Sequence, residues 1–260
     1  MSDNDIEVIP PFVGNWKNLK QIYLNQLPLI EPLPAEIQNW KYLKVLHIND
    51  SQLFELPECV GELKNLTMVS LMDNELKELP HSINEWKLVK KMFLNNNKLI
   101  SIPESINGME SLEKLYIINN ELTSIPKTIS ELELLNELYV NENKIKKIPS
   151  VIGNCPSLNK LYLSDNKLRK VPETIGNIET LEILNLNNNK LEKLPSVLAE
   201  ILGIKFIHFS NNRINEIEES FCELEELRVF EYEGNPLEEN EQEMEKIDLI
   251  SSKLHSSWAF

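Results

Sequence analysis

Phe93, Tyr116, Tyr139 and Tyr162 follow one another at intervals of 23 residues. Lys91, Lys114 and Lys160 fall two residues earlier in the same series, with Glu137 in the remaining place. If the chain brings residues 23 apart side by side, the rings form a strip and the lysines its border. That is contact chemistry rather than bond-making chemistry. Aromatic side chains offer rigid, amphipathic area that often dominates protein interfaces, and lysines attract acidic surfaces. Asn95, Ile118, Asn141 and Ser164 would line the other border, and Met72 would extend the apolar part. Aromatics also suit strands and stack across neighbouring ones, so sheet stabilisation is an equally physical reading of the same residues. The residues alone leave both open.

Bond-making chemistry finds no comparable arrangement. His47 and His208 share a position in the series but lie seven strands apart, about 34 Å at the usual strand spacing, too far for one metal ion or a catalytic pair. His81 and His255 stand alone, and no CxxC, HExxH or GxSxG occurs. Gly14, Gly61, Gly153 and Gly176 recur at one phase of the series and read as structural, not as a phosphate loop. The sequence therefore predicts a non-enzymatic protein with no cofactor and no metal.

The elements that must position the strip are set by one period. Leu43, Leu66, Val89, Leu112, Leu135, Leu158, Leu181, Ile204 and Leu227 are spaced by 23 residues, and Leu19 precedes Leu43 by 24. Such regularity means one unit stacked about ten times. Each unit reads LxxLxLxxNxLxxLPxxIxxL, for example from Leu135 through Leu138, Val140, Asn143, Ile145, Ile148, Pro149 and Ile152 to Cys155. The LxL part alternates as a strand does. The Pro and the wider spacing after it predict a turn, extended or short helical return. Asn74, Asn97, Asn120, Asn143, Asn166, Asn189, Asn212 and Asn235 form a polar column, which a core tolerates only if each amide is hydrogen-bonded.

These motifs resemble the leucine-rich repeat family, in particular the 23-residue LPxxIxxL class of Ras-group and bacterial-type repeats, over roughly residues 9–237. The resemblance implies an α/β repeat solenoid: a horseshoe with about ten parallel strands on the concave face and an irregular or short-helical convex side. It implies the concave face as the contact surface and leaves the partner unspecified. Three departures stand out. Leu27 and Ser51 replace the Asn in the first two full repeats, the first has an extra residue around Pro28 and Pro32 that should alter its turn, and Glu218 replaces Pro in the last.

The expected organisation is a partial first repeat over 1–18, repeats over 19–237 and a helical cap over 238–260. Residues 238–254 read as a helix with Met244, Ile247, Ile250 and Leu254 on one face, closing the core with help from Trp258 and Phe260, or else docking a partner. The start of the chain lacks a basic segment followed by an apolar run, so no signal peptide is expected. No apolar run is long enough for a membrane span. Cys59, Cys155 and Cys222 are odd in number and unpaired in the sequence pattern. The expectation is cytoplasmic, the alternative being export without a signal peptide.

The formal net charge of −15 argues against general nucleic-acid binding. Residues 214–248 hold 14 acidic residues against Arg228 and Lys246. In contrast, Lys144, Lys146, Lys147, Lys167, Arg169, Lys170, Lys190 and Lys193 recur at the same phases after three consecutive strands. Stacking should gather them into one basic ridge beside the concave face, either a solvated edge or a dock for an acidic surface or phosphate group.

The leading expectation is a monomeric recognition module. It would bind a protein partner with an acidic patch through Phe93, Tyr116, Tyr139, Tyr162, Ile118 and Met72, steered by Lys91, Lys114 and Lys160. Two rivals remain: an effector or regulator of a small-GTPase-type signalling protein, exported without a signal, and a self-assembling structural repeat protein.

Overall fold

The structure is a computed structural model that describes residues 5–256. Ten three-residue strands form one parallel sheet in strict sequence order: β1 Gln21–Tyr23, β2 Val45–His47, β3 Met68–Ser70, β4 Lys91–Phe93, β5 Lys114–Tyr116, β6 Glu137–Tyr139, β7 Lys160–Tyr162, β8 Ile183–Asn185, β9 Phe206–His208 and β10 Val229–Glu231. This is an open sheet on the inner wall of a horseshoe solenoid. The return segment of each repeat is a five-residue 3-10 helix, from Pro11–Asn15 to Glu219–Glu223, and consecutive ones pack together as the outer wall.

The core lies between the walls. The middle residue of each strand points inward, and these residues pair in register along the sheet, as in Met92, Leu115, Leu138 and Leu161. Their side chains join the Ile and Leu of the outer wall in one apolar cluster running the length of the molecule. Each repeat alone has both ends of its core open, so stability comes from stacking.

The Asn column is what closes the turns. In Asn143, Oδ1 accepts from the Leu122 N–H of the previous repeat at 2.9 Å. Its Nδ2 donates back to the Ile117 carbonyl at 2.8 Å, and to Val140 and Asn141 of its own repeat. Asn74, Asn166, Asn189 and Asn212 repeat this bridge between neighbours. Each side chain thus satisfies both its own turn and the adjoining one.

The departures have local solutions. Buried Ser51 accepts from the Leu27 N–H and donates to the Leu24 carbonyl, covering part of the missing amide's role. Leu27, with nothing to bond, is simply buried. Gln26 takes the same left-handed φ as its counterparts in the following repeats, so that feature of the first turn is retained. It is the second repeat that has an additional left-handed residue, Gln52. Glu218 has φ −65 and ψ 141, the backbone of the prolines it replaces, so the last outer-wall helix starts normally.

The C-terminal helix, α1, runs Glu241–Ser256. It begins later than the apolar spacing predicts because Pro236–Glu239 forms a 3-10 turn of its own and Asn240 is extended. Ile247 and Ile250 are buried, and Met244 and Leu254 pack against the core. The buried Glu243 carboxylate accepts from the Ile217 N–H at 2.7 Å and pairs with Lys246, which donates to the Ile217 carbonyl. The helix is thereby fixed to the last repeat by polar as well as apolar contacts. Trp258 and Phe260, expected to complete the seal, lie outside the described residues.

Candidate functional site

Because consecutive strands pair in register, Phe93, Tyr116, Tyr139 and Tyr162 stand directly beside one another. The second residue of each strand is buried, so the third turns to the opposite, open side of the sheet. Ring centroids are separated by 4.9, 4.5 and 4.4 Å with planes within 17°, 12° and 10° of parallel. The rings therefore stack face to face in one unbroken column set by the strand spacing. All four are half-buried, their faces covered by one another.

The neighbouring column is more intricate than a row of lysines. Glu137 lies between Lys114 and Lys160 in the sheet register and is only 5% exposed. Its Oε1 receives Lys114 Nζ at 2.9 Å and Lys160 Nζ at 3.2 Å, and its Oε2 accepts from the Tyr116 hydroxyl at 2.9 Å. Burial pushes this carboxyl up, but the three hydrogen bonds outweigh burial and hold it below the ordinary carboxylate value. Burial, reinforced by the bond to Glu137, pushes the Tyr116 phenol up to about 12. Burial also raises Tyr139, with the Glu137 charge adding to it. The two lysines predicted as free steering charges thus share one carboxylate, while Lys91 is exposed at the end of the column.

On the turn side of the rings, Met72, Asn95, Ile118 and Asn141 are half-buried and Ser164 is buried. Asn95 Oδ1 accepts from the Ile118 N–H at 2.9 Å, and Asn141 Nδ2 donates to Ser164 Oγ at 2.9 Å. Asn141 Oδ1 is buried without a hydrogen-bond partner among the described residues. The candidate residues therefore lie on one face. The bridging part played by Glu137 was missed in the sequence, where the signal was one acidic residue in a column otherwise of lysines.

The other sequence-derived cluster is also brought together. Lys146, Lys147, Lys167, Arg169, Lys170 and Lys190 line one cavity of about 730 Å³ together with Ile148 and Pro172. It is a groove rather than the ridge expected, and Lys144 is turned to Glu121 at 2.7 Å instead of lining it. At the far end of the sheet His208 Nδ1 lies 2.7 Å from Glu231 Oε2, a separate pair with no tie to the column.

Residues 34–123 match the family described as a leucine-rich repeat region, and residues 110–168 and 133–191 match the leucine rich repeat family. No curated protein gives a significant match to the sequence. Among solved structures, the chain is similar to the plant peptide hormone receptor RGFR1 in complex with RGF2, at 31% identity and a TM-score of 0.79, covering 87% of this chain and 38% of the receptor. It is similar in fold to a TDR receptor, at 23% identity and a TM-score of 0.78, covering 90% of this chain and 42% of that one. The internalin InlF from Listeria monocytogenes gives 20% identity and a TM-score of 0.75, covering 90% of this chain and 67% of the internalin. This chain spans less than half the length of either receptor.

Proposed function

The chain belongs to the leucine-rich repeat family, whose members are generally protein-binding modules, and from that premise we propose that it is a non-enzymatic recognition module whose concave aromatic column holds a protein partner. One observation carries the reading: four aromatic rings in unbroken contact on the open side of the sheet. Their mutual stacking fixes each ring before a partner arrives, so little side-chain freedom is lost on binding. Ile118 and Met72 extend the apolar contact. Lys91 meets an acidic group on the partner. Lys114 and Lys160 act on the partner with their charge reduced by Glu137. The similar peptide hormone receptor RGFR1 was solved in complex with RGF2, which supports a polypeptide as the partner. The unpaired thiols of Cys59, Cys155 and Cys222 support a reducing, cytoplasmic setting.

The test is an affinity capture from native lysate with the wild type and with a Tyr116→Ala/Tyr139→Ala double variant shown to be folded by circular dichroism. Proteins retained by the wild type should be lost from the variant, by roughly tenfold or more per anchor. A partner retained equally by both moves the binding site off this column.

A further inference from the structure

Several lysines in this protein meet a glutamate in an adjacent repeat. Lys41 pairs with Glu62, Lys64 with Glu85, Lys87 with Glu110, Lys90 with Glu113 and Lys205 with Glu182. Three consecutive repeats instead gather cations without such pairs. There Lys167 and Lys190 occupy one repeat phase, Lys146 and Arg169 a second, and Lys147, Lys170 and Lys193 a third. Each has at least one cationic neighbour a single repeat away. All seven are exposed, and among the described residues none makes an ion pair. Like charges placed side by side destabilise, and in a chain of net charge −15 carboxylates are plentiful. The arrangement therefore costs stability that the fold does not need to lose.

Six of these cations line the cavity of about 730 Å³, and Lys170 and Lys193 line a smaller one next to it. Its volume is that of a small-ligand site rather than of a flat protein contact. An acidic peptide in extended form offers a charge on one face only about every 6.8 Å, while rungs repeat at about 4.8 Å. Phosphate groups offer up to two charges and three acceptor oxygens each. The donors are mostly lysines, point charges that bind phosphate without needing the two-pronged geometry of arginine. Ile148 and Pro172 supply apolar wall between the charged side chains.

We propose that this groove is a binding site for a soluble small molecule carrying several phosphate groups, separate from the aromatic column and sharing no residue with it.

Titration calorimetry at about 150 mM salt, where exposed charges are already screened, tests the proposal with sodium tripolyphosphate as the probe. The wild type should bind. A Lys147→Ala/Lys170→Ala variant should lose about tenfold or more, the equivalent of one charge-assisted hydrogen bond. Lys77→Ala, an exposed lysine at the phase of Lys146 three repeats earlier, should bind as the wild type does. Because all three residues are exposed, folding is not at risk, and at low salt the double variant should melt higher as repulsion is relieved. Absence of binding, equal binding by the double variant, or equal affinity for a glutamate oligomer of matched charge would each overturn the proposal. So would binding confined to phosphatidylcholine vesicles containing phosphatidylinositol bisphosphate, which would make the ligand a membrane headgroup.

Discussion

The Tyr116 hydroxyl donates to Glu137 Oε2 across 2.9 Å, so the aromatic column and the ion pairs beside it are one connected unit. Glu137 in turn holds Lys114 and Lys160 on either side. A partner that settles on the rings meets side chains already fixed in two directions, by stacking along the column and by this carboxylate across it. Under the proposed function, sheet stabilisation and partner binding would draw on the same contacts rather than compete as explanations of them.

The carboxylate gives that unit a pH dependence. Although burial opposes it, the hydrogen bonds hold the folded-state value of Glu137 below the ordinary one. Its contribution to stability is therefore complete above the unfolded value, about 4.3, and is lost as pH falls through the folded value. Glu137→Gln removes the charge that two lysines share and should cost about 1–3 kcal/mol at pH 7. In thermal melts over pH 3–7, the gap between wild type and variant should close toward the acid end. A gap that stays constant with pH would show that the carboxylate charge contributes nothing.

Asn143 binds the Leu122 N–H in the preceding turn and the Ile117 carbonyl before it. Asn143→Ala leaves both buried groups without these partners, and urea denaturation should show a loss of about 1–3 kcal/mol. Asn143→Asp is the sharper probe, since a carboxylate keeps the acceptor but cannot donate to Ile117. It should cost stability at neutral pH and recover part of it in acid, where a protonated carboxyl again donates.

The regular part of this molecule was legible because stacking repeats one solution. Positions 23 apart in sequence become neighbours, so the Leu columns, the Asn column and the Phe93–Tyr162 series could be placed without coordinates. The left-handed residue before each Asn position was equally available and was missed. It is Asp50, Asp73, Asn96, Asn119, Asp165, Asn188, Asn211 and Gly234 in eight of the repeats, the types that best tolerate positive φ. Side-chain direction was not legible. Whether Lys144 lines the basic groove or turns to Glu121, and whether Lys114 faces water or Glu137, depends on rotamers that a repeat pattern does not encode.

Gly153, in an outer-wall helix, and Gly203, in the turn that leads into β9, differ in what surrounds them. A Cβ on Gly153 would overlap the Thr174 carbonyl oxygen and approach Thr174 Cβ to 2.9 Å, whereas one on Gly203 would meet only the Glu179 carbonyl at 3.7 Å. Gly153→Ala should force the two outer-wall helices apart and cost about 1–3 kcal/mol. Gly203→Ala should be close to neutral. Equal melting temperatures for the two variants would mean that the outer wall yields freely at Gly153.

The Tyr116 and Tyr139 phenols should resist ionisation. Burial pushes Tyr116 up to about 12 and raises Tyr139 as well. The neutral phenol is the form the fold favours. The resulting stability is full below the ordinary tyrosine value near 10 and is lost as pH rises from there through the folded-state values. Ultraviolet titration of the chain's six tyrosines should therefore show at least two that remain unionised at pH 11, ionising only as the fold gives way. In the Glu137→Gln variant the hydrogen bond to a carboxylate and its charge are both gone, so the Tyr116 phenol should move down toward 10 while the absorbance change of exposed tyrosines stays where it was. If all six titrate together near 10 in the folded wild type, the column is open to water and its rings are not held as a unit.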